Sequence, residues 1–148
     1  MQSLPFGLHA ISAYRQFVVY KLAPSQSRVG KTDKLPVDWR TGALPASGAG
    51  GEQIYTDAHT AIEYAQQYGD SYGVGFFFTE RDPFVFIDID NCLQSDGTWS
   101  NLATSLIHAP PNAYVEVSQS GRGLHIIATA ALPLHSCKNT AYGLELYD

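Results

Sequence analysis

The spacing of apolar residues changes several times along the chain, and each change marks an expected element. A short helix is expected around Leu8 to Tyr14, and Phe17-Val18-Val19-Tyr20 has the β-branched and aromatic content of a strand. From Ala23 to Gly51 the chain is rich in Pro, Gly, Ser and Lys, which predicts a surface excursion with one short strand near Leu35 to Val37. Ala58, Ala61, Ile62, Ala65 and Tyr68 then recur at helical spacing, with Thr56 as the expected cap and Gly69 as the terminator. Tyr72 to Thr79 and Phe84 to Asp90 are two dense β-forming runs, expected to form an antiparallel hairpin across Glu80-Arg81-Asp82-Pro83. Leu102, Ala103, Leu106 and Ile107 predict a second helix from Ser100 to His108, stopped by Pro110-Pro111. Strands resume at Tyr114 to Ser118 and Leu124 to Thr129, on either side of a Gly-rich turn, and again at Leu144 to Tyr147.

The resulting order, β, α, β, β, α, β, β, β, predicts an α+β fold. Its expected form is a mainly antiparallel sheet with helices on one face, as in ferredoxin-like and RNA-recognition folds. The opposite sheet face is then the place to look for chemistry.

Composition narrows the class. With 148 residues, 45% hydrophobic and 16% charged, the chain is expected to form one soluble domain with a true core. A net charge of -5 excludes broad electrostatic attraction to a phosphate backbone, so any nucleic-acid contact must be local. The start lacks a basic segment followed by an apolar one, and no run approaches the ~20 apolar residues of a membrane span, so a cytoplasmic protein is expected. Cys92 and Cys137 lie outside any CxxC and read as ordinary thiols. A zinc half-site from His135, Cys137 and Cys92 is the weaker reading.

Three stretches carry candidate chemistry. In Phe84-Val85-Phe86-Ile87-Asp88-Ile89-Asp90, strand alternation puts Asp88 and Asp90 on one face, with Cα atoms about 7 Å apart, and Ile87 and Ile89 on the other. Two carboxylates in an apolar strand repel each other and lose hydration, which a divalent cation with oxygen ligands, Mg²⁺ or Mn²⁺, relieves. The competing reading is a solvated strand end leading into Asn91. In Ser118-Gln119-Ser120-Gly121-Arg122-Gly123-Leu124-His125, Gly121 and Gly123 allow turns that gather N–H groups. Ser118, Ser120 and Arg122 add donors suited to phosphate, and His125 follows beside the turn. The Lys-Ser/Thr ending of a Walker loop is missing. In Leu144-Glu145-Leu146-Tyr147-Asp148, Glu145 alternates with leucines, which aims its carboxylate at the same face as the aspartates. Glu116, between Val115 and Val117, is an expected outer partner, while Lys31 and Lys34 are candidates for template or nucleotide docking.

Taken together, Phe-Ile-Asp-Ile-Asp at 86–90, Ser-Gln-Ser-Gly-Arg-Gly-Leu-His at 118–125 and Leu-Glu-Leu-Tyr at 144–147 resemble the archaeo-eukaryotic primase superfamily. The likeness is to the bifunctional primase-polymerase domains of phages and mobile elements. It extends to Lys-Leu-Pro at 34–36, Gly-Val-Gly-Phe at 73–76 and Asp-Pro-Phe-Val-Phe at 82–86. The resemblance implies the catalytic core of that fold and a template-dependent nucleotidyltransferase. Asp88, Asp90 and Glu145 would hold the metals, His125 would meet the nucleotide phosphates, and Ser120 and Arg122 would be further phosphate contacts. It also implies a single-stranded DNA template, NTP or dNTP substrates and, commonly, an attached helicase domain. If the protein is phage-encoded, its place would be the host cytoplasm. Relatives continue past the later acid, so residues 1–148 are expected to be C-terminally incomplete or part of a longer protein. Two other classes fit the residues: a metal-dependent nuclease or phosphodiesterase, and a non-catalytic nucleotide- or DNA-binding module in which Tyr114 and Tyr147 stack on bases.

Overall fold

The computed structural model describes residues 4–45 and 51–147. The part of the expected surface excursion at 46–50, and Asp148, lie outside the described residues. The structure is α+β with two antiparallel sheets, and it divides into two compact units, residues 1–77 and 78–148.

The first unit opens with a 3₁₀ helix at Phe6–Ala13, where a helix was expected. Strand β1 (Phe17–Pro24) is central in a three-stranded sheet, between β2 (Thr32–Val37) and β3 (Tyr72–Phe76). Helix α1 (Ala58–Tyr68) buries Ala58, Ala61 and Ala65. The cap expected at Thr56 is supplied instead by Asp57, whose carboxylate accepts from the Thr60 N–H at 2.9 Å. Thr56 stands one residue before the cap, its N–H and C=O both paired with Phe17 in a fully buried bridge. Gly69 ends the helix at φ +97°, as expected.

The hairpin expected between the two runs at 72–79 and 84–90 does not form. β3 pairs with β1, while β4 (Phe84–Ile89) pairs with two later strands. Alternation marks a strand without choosing its neighbour. Here the connection is an Asp82 turn, its carboxylate accepting from Thr79 N at 2.7 Å and Phe84 N at 3.1 Å. A single sheet is accordingly replaced by two.

In the second unit β4 is the middle of a five-stranded sheet. Adding β5 (Tyr114–Val117), β6 (Leu124–Thr129), β7 (Lys138–Asn139) and β8 (Leu144–Tyr147) gives the order β5-β6-β4-β8-β7. The two-residue β7 was not anticipated. Ile87, Ile89, Leu124 and Ile126 form one face and pack with Cys92 and with Ala103 of α2 (Asn101–His108), while Trp99, Leu106 and Leu146 close around them. Ser100 caps α2 by accepting from Ala103 N at 3.2 Å. Cys92 sits inside this core, its thiol donating to the Ile89 carbonyl, whereas Cys137 is exposed. Among the described residues no helix is long and apolar enough to cross a membrane.

Alternation in β6 makes a direct test of this register. Ile126 is fully buried and Ile127 points to the other face, where it is only half-buried. Ile126→Ala should cost about 2–5 kcal/mol in urea unfolding, and Ile127→Ala clearly less. Equal losses would show that the strand is registered differently.

Candidate active site

The pairing of the five strands in the second unit aligns one ionisable side chain from each. Glu116 of β5 is opposite His125 of β6, His125 is opposite Asp88 of β4, Asp88 is opposite Glu145 of β8, and Glu145 is opposite Lys138 of β7. Directly paired residues in neighbouring strands project to the same face. The result is a transverse row, Glu116–His125–Asp88–Glu145–Lys138, on the face opposite α2. One step along the strands a second row runs beside it, with Tyr114, Ile127, Phe86 and Tyr147 in register. The Phe86 ring lies 5.2 Å from that of His125 and 6.3 Å from that of Tyr147.

Contacts within the row are specific. His125 Nδ1 is 2.9 Å from Glu116 Oε1, and the other Glu116 oxygen accepts from the Tyr114 hydroxyl at 3.1 Å. His125 Nε2 faces Asp88 Oδ1 at 3.8 Å, beyond hydrogen-bond reach. At the far end, Lys138 Nζ donates to Glu145 Oε1 and the Tyr147 hydroxyl to Glu145 Oε2. These two donors hold the Glu145 carboxyl below its usual range, and Glu145 in return pushes Tyr147 up to about 12. Hydrogen bonding to Glu145 likewise raises Lys138.

Asp88 is the exception in this row. Its Oδ1 is buried and accepts no hydrogen bond. Burial raises its pKa above the ordinary carboxylate value, the charges of Asp90 and Glu145 add to the rise, and His125 and Lys138 oppose it. An oxygen donor deprived of water and lacking a partner suits a hard divalent cation. Among the described residues, however, no three His, Cys, Asp or Glu side chains already stand together as a metal cluster.

Asp90 and the 118–123 turn lie beyond the ends of the strands that carry the row. β4 stops at Ile89, so Asp90 is exposed in the turn beyond it, where its N–H donates to the Gly143 carbonyl at 2.8 Å. The 118–123 turn is tightly self-bonded. Gly121 N donates to Ser118 O at 2.8 Å, Arg122 N to Ser120 Oγ at 3.3 Å and Gly123 N to Ser118 Oγ at 3.1 Å, and the two serine hydroxyls are 3.0 Å apart. These N–H groups are thus spent inside the turn, and the exposed Arg122 side chain is its outward donor. Gly123 is required by space, since a Cβ there would lie 2.7 Å from the Ile89 carbonyl oxygen.

Lys31 and Lys34 belong to the other unit, where Lys34 Nζ lies 5.3 Å above the Tyr20 ring. Lys138 is the one member of the row that sequence reasoning missed. Its signal is the turn formed by Asn139-Thr140-Ala141-Tyr142-Gly143, which folds residue 138 back onto Glu145.

The perturbed Asp88 fixes a pH dependence. Its folded pKa is raised, so between its unfolded and folded values the folded state binds more protons, and cation-free stability falls as pH rises through that window. Asp88→Asn removes this fall. In denaturant melts with a chelator present, the variant should gain more over the parent near about pH 7 than near about pH 4; equal differences at both would refute the assignment.

No family model matches the chain. It is similar to a protein named DNA Primase-polymerase from Nitratiruptor phage NrS-1, with 29% identity over 150 residues. The alignment covers 96% of this chain and 19% of that protein, so the chain spans about a fifth of its relative's length.

Proposed function

We propose that this chain is the nucleotidyl-transfer core of a DNA primase-polymerase serving replication of a phage or mobile element. In this reading it joins NTPs or dNTPs to a 3′-hydroxyl on a single-stranded DNA template. The similarity to the phage protein supports a primase-polymerase relationship. The observation that carries the chemical reading is the strand register, by which Asp88, His125 and Glu145, from three distant stretches, become neighbours on one sheet face.

Asp88, Asp90 and Glu145 would hold Mg²⁺ or Mn²⁺. The unpartnered Oδ1 of Asp88 and the all-oxygen donor set fit such ions. Mg²⁺ commonly takes only one or two protein carboxylates together with substrate phosphates, so a complete protein cage is not required beforehand. When bound, such a cation lowers the pKa of the attacking hydroxyl and neutralises charge on the transferring phosphoryl group. In the reaction, the 3′-hydroxyl gives up its proton to solvent as its oxygen bonds to the α-phosphorus, the bond from that phosphorus to the bridging oxygen breaks, and pyrophosphate leaves.

The protein's own contributions are positional and electrostatic. His125 directs Nε2 to the site side of the row, and its doubly protonated ring would donate from that nitrogen to a phosphate oxygen. Arg122, on the turn two residues before Leu124, offers a second, charge-assisted donor. Lys138 keeps Glu145 ionised and oriented while balancing the carboxylates. Local cations of this kind reconcile a chain of net charge -5 with a polyanionic substrate.

The experiment supplies primed and unprimed single-stranded DNA, nucleotides and Mg²⁺ or Mn²⁺. Extension is expected from the protein, none from Asp88→Ala, and a decrease of about a hundredfold or more from His125→Ala. Loss of the DNA strand without nucleotides would instead identify a phosphodiesterase. Binding without turnover under every metal condition would leave a non-catalytic module as the correct reading.

A further inference from the structure

The proposed chemistry needs one particular atom of His125, yet a ring flip replaces each nitrogen by a C–H, and either nitrogen can carry the proton. Two neighbours remove that freedom. Glu116, directly opposite in β5, accepts at 2.9 Å from Nδ1, and Tyr114 donates at 3.1 Å to the second Glu116 oxygen. The Phe86 ring, 5.2 Å away, limits the space on another side, and the His125 side chain is only 16% exposed.

We infer that Glu116 is a positioning residue that fixes the Nδ1–H form of His125 and so leaves Nε2 facing Asp88 and the site, with Tyr114 holding Glu116 in place. A carboxylate only accepts hydrogen bonds, so the nitrogen 2.9 Å from it must carry a proton whether the ring is neutral or charged. A ring flip would put the Cδ2–H against Glu116, and the Nε2–H tautomer a bare nitrogen; either loses this bond. Carboxylate–histidine pairs orient the ring in the same way wherever its second nitrogen has work to do. The inference rests on the reading of His125 as the residue that meets nucleotide phosphates, but its geometric part can be tested without turnover.

Ring ¹⁵N spectra of the protein at alkaline pH report which nitrogen bears the proton in the neutral imidazole. The Nδ1–H form is expected for His125, although free histidine prefers Nε2–H. Glu116→Leu should convert His125 to the Nε2–H or a mixed form and, because the ring is no longer held with Nε2 toward the site, weaken nucleotide binding about tenfold. Glu116→Gln, which keeps a carbonyl acceptor, should preserve the Nδ1–H form, and Tyr114→Phe should give a smaller change of the same kind as Glu116→Leu. An Nε2–H ring in the parent protein, or an unchanged ring in Glu116→Leu, would overturn the inference. If the tautomer responds as expected while His125→Ala binds nucleotide normally, the phosphate role of His125 fails and the Glu116 pairing survives.

Discussion

The structure of the second unit depends on the two-residue period of β4 in its central position. From Phe86 to Ile89 this strand is fixed by antiparallel partners on both sides, β6 and β8, so its apolar and acidic residues cannot exchange faces independently. A slip of one residue against either neighbour would bring Asp88 into the layer now occupied by Ile87 and Ile89, next to α2. The same hydrophobic demand that packs the core therefore sets the chemistry on the other face. No dedicated scaffold is needed for the ionisable row, because it is the reverse side of the core.

That row also illustrates how charge is managed at a half-buried site. Adjacent carboxylates on neighbouring strands are unfavourable, and Asp88 and Glu145 are such a pair. They are relieved unequally. Glu145 has a lysine and a tyrosine, whereas Asp88 has only a distant imidazole and an oxygen with no partner. Under the proposed function the unrelieved carboxylate is the one a cation would engage, because what it lacks is what a cation, or a substrate brought with a cation, can supply.

Much of this was legible in the sequence, for identifiable reasons. The helices at 58–68 and 101–108, and the strands beginning at Phe17, Tyr72, Phe84, Tyr114, Leu124 and Leu144, all follow from local periodicity and turn residues. Pairing was not legible. The runs at 72–76 and 84–89 are close in sequence, but each is more fully covered by strands from elsewhere, and the short Asp82 turn does not oblige them to meet. For the site, alternation aims Asp88, Glu145 and Glu116 at one face, as the strand pairing has them, but Asp90, expected beside Asp88, lies in the turn beyond β4, and His125 joins the row through strand pairing, which alternation does not give. In the 118–123 turn, where Gly121 and Gly123 predict gathered N–H groups, Ser118 and Ser120 accept two of them internally, which depends on side-chain rotamers that no spacing rule encodes. Lys138 escaped notice because a strand of two residues leaves no periodic signal.

The brevity of β7 has a kinetic side. A strand held by only two residue pairs at a sheet edge lies among the first segments to fray, and it does so without disturbing the packed layer beneath β4. Such an opening carries Lys138 away from the Glu145 carboxylate far faster than the sheet unfolds, and backbone amide exchange at residues 138 and 139 keeps its clock.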